Sequence, residues 1–218
     1  MRGKYCLSTC LQSNLPFASE LLSNLPSTQP FKRTSSMSIA TTSPTITTQY
    51  NSEQFAESCG AILFDLSTQI KTVCLIHYHV KNEWLLAKGG RNCNESRHEA
   101  ALREVSEETG YQAHLHPVTM YTRAPPIDEQ GHVPDEPRSY PDPTEPFMVT
   151  MRHLYGSVND VKIIWWYIAA LDEGVVPGSA RAEKFTAKFF LLKDAVKKLS
   201  FQNDRTVLQK AISLVEDY

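Results

Sequence analysis

The run Val161–Leu171, VKIIWWYIAAL, restricts the fold more than any other part of the chain. It is far shorter than the ~20 apolar residues a membrane-spanning helix needs. Both alternating sets of side chains are apolar except at Lys162, so a strand built from it must be covered on both faces. Trp165 and Trp166 are then expected in the core. Cys59–Phe64 and Thr72–His77 flank the polar stretch Asp65–Lys71 as a hairpin would, and Trp84–Ala87 is a third short apolar run. Gln112–Thr122 and Phe185–Leu192 read as further strands. Between Glu95 and Thr109 the pattern turns helical, with Ala100, Ala101, Leu102 and Val105 as its apolar stripe and Gly110 as its stop. Lys193–Leu199 and Asp204–Val215 are two more helices, the second with Val207, Leu208, Ala211, Ile212 and Val215 on one side. Strands interleaved with helices imply an α/β layered domain.

That domain is expected over residues 55–218. Residues 1–54 are rich in Ser and Thr and hold few acids, the composition either of a disordered tail or of an organelle transit peptide. The first implies a cytoplasmic protein and the second a mitochondrial one. Seven prolines between Arg123 and Pro146 exclude helix and sheet interior there, leaving a long acidic loop. A formal net charge of -2 gives no bulk attraction to nucleic acid or to an anionic membrane. Five cysteines at irregular spacing suggest neither a disulfide framework nor a zinc site, and the histidines lack ligand spacing. Nothing in the sequence bears on oligomeric state.

The chemistry concentrates between Gly89 and Tyr111. Glu104, Glu107 and Glu108 stand at i, i+3 and i+4, so one helix face carries all three carboxylates. Like charges at this spacing repel and call for a counter-charge, for which a hard divalent cation is suited. Arg103 can orient a carboxylate through its planar fork, with Glu95 as its partner. A solvated acidic helix face is the competing reading of charge alone.

The full spacing decides between them. Gly89, five residues, Glu95, seven residues, then Arg103-Glu104-Val105-Ser106-Glu107-Glu108-Thr109-Gly110-Tyr111 resembles the Nudix box. The departures are Tyr111 at a usually aliphatic position and Asn94 where many members have Gly. Asn tolerates left-handed backbone, so the loop can keep its shape. The resemblance implies an α/β/α sandwich with a mixed sheet, a loop-helix-loop box, and magnesium or manganese as cofactor. It implies Glu107, Glu108 and the Lys88 carbonyl as metal ligands, and Glu104 as a ligand or as the group that is, or orients, the base. Glu95 and Arg103 would support them.

Trp84–Gly89 is similar to the stretch found in branches that hydrolyse diadenosine tetraphosphate or diphosphoinositol polyphosphates, with Ala87 in place of proline. The small-molecule polyphosphate expected first is diadenosine tetraphosphate, split to ATP and AMP. Diphosphoinositol polyphosphate is the alternative, and a catalytically silent nucleotide-binding regulator is the reading from another class. Lys88 and Arg123 are candidate phosphate contacts. Glu145 is a candidate carboxylate outside the box, and Lys184, Lys188, Lys193, Lys197 and Lys198 form a basic cluster that is either a ligand surface or a solvated face.

Overall fold

A computed structural model describes residues 47–127, 131–154, 160–174 and 184–217. The readings of the chain's first 46 residues lie outside them. In chain order the elements are β1 (Phe55–Asp65), β2 (Thr72–Tyr78), β3 (Glu83–Leu85), β4 (Lys88–Gly90) and α1 (Arg97–Thr109), then β5 (Ala113–Leu115), β6 (Met120–Thr122), β7 (Arg138–Tyr140) and β8 (Met148–His153). They end with β9 (Val161–Leu171), β10 (Phe185–Leu191), α2 (Leu192–Lys198) and α3 (Gln202–Glu216).

The main sheet runs β10-β2-β1-β9-β5, with β3 on β2, β4 on β1 and β8 on β9. β1 and β9 are parallel and their neighbours antiparallel, so the sheet is mixed. Period-two alternation divides β1 between two layers. Cys59, Ala61 and Leu63 face α1, while Ile62 and Phe64 face α2 and α3. β9 does the same with Tyr167 and Ala169 against Ile164, Trp166 and Ile168. Helices on both faces make this an α/β/α sandwich, as the two-sided apolar run requires. The layer under α1 is built from small residues, with Ala61 and Ala169 meeting Ala100 and Ala101, so α1 lies close to the sheet.

Several elements differ from the sequence expectation. The stretch Gln112–Thr122 is two short strands: β5 joins the main sheet and β6 pairs with β7 in a separate ribbon. Pro117, which has no N–H to give a ladder, stands between them. β7 itself is a short strand inside the proline-rich loop. Trp166 is fully buried, but Trp165 is only half-buried and its indole N–H donates to Glu57. β8 was not apparent from the sequence at all. In α3, Leu214 is buried while Ile212 is only half-buried.

Helix α1 starts two residues later than its periodicity suggests, because Ser96 caps it. The Ser96 hydroxyl accepts the Glu99 N–H at 3.2 Å and the Glu99 carboxylate accepts the Ser96 N–H at 2.8 Å. Gly110, at φ 78°, ends the helix in the left-handed conformation. Ser96→Ala is expected to lower stability by about 1 kcal/mol, the usual cost of an N-cap hydroxyl. Chemical denaturation measures this, and a loss under ~0.3 kcal/mol would mean the cap is dispensable.

Candidate active site

β4 brings the box to the sheet. Lys88 pairs opposite Gly60 of β1, and a Cβ on Gly60 would lie 2.6 Å from the Ala87 carbonyl oxygen. Only glycine allows that approach. A Cβ on Gly89 would overlap the Glu104 carboxylate. The chain then turns through residues 91–96 with Asn94 left-handed at φ 64°, the conformation its small amide tolerates. The Asn92 N–H donates to the Glu95 carboxylate at 2.8 Å and closes the turn.

Arg103 gathers the acids. Its Nε donates to Glu95 Oε1 at 2.7 Å, and its Nη2 to Glu95 Oε2 at 3.1 Å and to the Gly90 carbonyl at 2.7 Å. Its Nη1 reaches Glu104 at 2.7 Å and Glu107 at 3.2 Å. Glu95 foremost, and Glu104, hold the guanidinium firmly protonated against the opposing effect of burial. Glu108 stands apart and accepts the Lys88 backbone N–H at 2.8 Å. Burial pushes its carboxyl up to about 7; the Lys88 N–H and charge oppose that, and the charges of Glu104 and Glu107 add to it.

The structure therefore brings together Glu95, Arg103, Glu104, Glu107, Glu108 and Lys88. Part of the counter-charge that the acids demand comes from within the chain. One guanidinium faces three carboxylates and leaves a surplus of negative charge. Among the described residues no group of three or more His, Cys, Asp or Glu side chains converges to cage an ion unaided. Magnesium does not need such a cage, because one or two carboxylates with phosphate and water oxygens suffice. Hard oxygen donors only, a buried Glu104 against an obligatory glycine, and a carboxyl that resists ionisation without a cation all fit a divalent metal.

Two clefts border these residues. One of about 440 Å³ lies at the start of α1, lined among others by Glu57, Arg91, Glu95, Arg97, Glu145 and Tyr167. The other, about 400 Å³, has Lys88 and Glu108 in its wall with Lys81, Arg152 and Asp204, and with the rings of Tyr78, Phe185 and Phe201. Tyr78 and Phe185 lie with centroids 5.3 Å apart. Arg152 and Asp204 approach to 3.6 Å, and burial raises the Asp204 carboxyl above its ordinary range. Lys162, opposite Arg152 in the β8–β9 ladder, is held below the usual lysine range by burial and by the charges of Lys88 and Arg152.

Arg123 lines neither of these clefts; its guanidinium donates to the Asp135 carbonyl at 2.8 Å and to its carboxylate at 3.1 Å. Glu145 lines the first cleft with Glu95, not the second with Glu108. Lys193 and Lys197 line a groove between α2 and α3, and Lys198 sits over the Trp84 ring at 4.9 Å. Sequence reasoning missed Glu57, Arg152, Lys162 and Asp204, each a single charge in a strand or helix with no motif around it.

The family model of the Nudix domain matches residues 55–211, well over half of the chain. No curated protein matches. Among solved structures, the Ap4A hydrolase of C. elegans is 16% identical, covers 73% of this chain and 96% of its own, and has a TM-score of 0.45. A Nudix-family hydrolase from Clostridium perfringens is 19% identical, with 74% and 97% covered and a TM-score of 0.45. The E. coli dihydroneopterin triphosphate pyrophosphohydrolase is 12% identical, with 71% and 92% covered and a TM-score of 0.43. At these identities and scores the likenesses carry nothing about substrate. The extent of the domain match is decisive: the chain belongs to the Nudix hydrolase family.

Proposed function

We propose that the protein hydrolyses a phosphoanhydride in a nucleoside-linked polyphosphate, with a dinucleoside polyphosphate such as diadenosine tetraphosphate as its preferred substrate. The observation that carries this is the continuity of the aromatic cleft with the box, through Lys88 and Glu108. Flat rings at Tyr78, Phe185 and Phe201 suit a nucleobase, for which stacking contributes about 1–3 kcal/mol. Lys81, Lys88 and Arg152 suit the phosphate chain that follows it. An inositol polyphosphate has no aromatic ring to stack, and the α2 lysines suited to its charge are not among those lining this cleft.

In this reading Glu104, Glu107, Glu108 and the Lys88 carbonyl hold magnesium or manganese. The bound metal supplies charge neutralisation at phosphate and a more acidic water. Arg103 holds Glu104 and Glu107 in fixed rotamers, and Glu95 fixes Arg103. Lys88 and Arg152 draw the phosphates toward the acids, and the aromatic rings set how far the chain enters. Binding remote from the reacting phosphorus then lowers the barrier.

The expected result is a kcat/KM for diadenosine tetraphosphate about tenfold or more above that for ATP, equivalent to about 1.4 kcal/mol. Products should be ATP and AMP, resolved by chromatography, with oxygen from labelled water in one of them only. Two molecules of ADP would exclude asymmetric attack. Faster release of orthophosphate from a diphosphoinositol polyphosphate would overturn the nucleoside reading.

A further inference from the structure

Glu57, on β1 outside the box, accepts hydrogen bonds from three side chains, Arg91, Arg97 and Trp165. Its Oε1 accepts from Arg97 Nε at 3.0 Å, Arg97 Nη2 at 2.7 Å and Trp165 Nε1 at 2.9 Å. Its Oε2 takes Arg91 Nε at 2.8 Å and Arg91 Nη2 at 2.8 Å. Burial alone would raise this carboxyl, yet the donors of Arg97, Trp165 and Arg91 hold it below the ordinary range. The carboxylate side chain is 10% exposed.

What Arg91 does with its remaining donors gives Glu57 a reach beyond its own strand. Arg91 Nη1 donates to the Glu95 carbonyl at 2.9 Å and to the Asn92 carbonyl at 3.3 Å. The Arg91 N–H also donates to the Glu57 carbonyl at 3.1 Å. The loop that presents Glu95 is thus tied to the sheet by Glu57 through Arg91 and to the helix by Arg103. Arg103 in turn orients Glu104 and Glu107. Loop residues 91–95 are half-buried or exposed and belong to neither apolar core cluster, so polar ties fix their place.

We propose that Glu57 is a positioning residue for the box, acting through Arg91 to fix the loop that carries Glu95 and, through Arg103, the orientation of Glu104. This rests on the reading of the box as the metal-binding site. Arg97 provides the internal contrast. It shares Glu57, and lies over Trp165 at 4.1 Å, but its contacts to Glu57 and Trp165 do not involve the loop backbone.

The test is manganese binding by the full chain, followed by electron paramagnetic resonance without substrate, beside thermal melting. Glu57→Gln and Arg91→Gln should each weaken manganese binding by about tenfold, the low end for partners behind metal ligands. Glu57→Asp, which keeps the charge at shorter reach, should fall between them and wild type. Arg97→Gln should stay within about twofold of wild type. Wild-type affinity in Glu57→Gln despite a lowered melting temperature would make its role purely structural and overturn the proposal. So would equal weakening by Arg97→Gln and Arg91→Gln. Should Glu57→Gln fail to fold, Arg91→Gln decides alone, because that side chain is 29% exposed and its loss leaves the core intact. Manganese binding that is the same in wild type and in Glu107→Gln and Glu108→Gln would instead overturn the box as metal site, and this proposal with it.

Discussion

Glu107→Gln or Glu108→Gln should lower magnesium-dependent turnover at least about a hundredfold, the scale for losing one well-placed electrostatic group. Each amide keeps the carboxylate's shape but removes a charge that a hard cation needs. Folding should persist. For Glu108 the metal-free protein adds a second readout. Its folded-state carboxyl sits near 7 against an ordinary 4.5, so burial favours the protonated form. A raised value means that its contribution to stability is present in full below the ordinary value and is lost as pH rises through the folded one. In chelator, wild-type stability should therefore fall between pH 4.5 and about 7, and Glu108→Gln should lack that loss. Near-normal turnover in both variants would mean that the box is not the active site. A pH profile shared by wild type and Glu108→Gln would show that Glu108 is not desolvated.

The parts of this fold that could be read from the sequence are those where burial and periodicity agree. β9 is apolar on both faces because both faces are covered, and α1 shows its stripe because one side meets alanines. The box was legible because four carboxylates, an arginine and two glycines keep a fixed spacing along one chain segment. β8 was illegible for a physical reason: its pattern is inverted. Val149 and Met151 point outward at 51% and 55% exposure. Inward, Thr150 accepts the buried Trp166 indole N–H at 3.0 Å, and Arg152 meets Asp204. Only Met148 on that side is apolar, and Thr150 and Arg152 are accommodated there because each finds a polar partner. Glu57 was hidden by the same circumstance, since its partners Arg91, Arg97 and Trp165 converge only after β1, β4 and β9 pair. The partner of Arg123 was hidden because it depends on how separate strands pair. β6 leaves the main sheet to pair with β7, and Asp135 takes the guanidinium.

Gly89→Ala should abolish most activity without touching any ionisable group. The glycine is at neither a turn apex nor a positive φ, so backbone freedom is not what fixes its identity. The space its missing side chain leaves is filled by the Glu104 carboxylate. A single methyl there must move that carboxylate. Glu104 is 9% exposed, and its Oε1 accepts from Arg103 at 2.7 Å. Moving it breaks the contact that also aligns Glu107 through the same Arg103 nitrogen. A displacement of roughly 1 Å in such a group can cost about a hundredfold in rate, and that is the loss expected in kcat. The melting temperature should fall by only a few degrees, because the added methyl meets a side-chain end rather than the backbone. Gly90→Ala is the control: a Cβ there meets nothing within 4 Å, and activity should stay within about twofold. Equal activity in the two alanine variants would show that Glu104 can vacate its place against β4 and still serve the reaction. The packing of Gly89 on Glu104 would then have no part in catalysis.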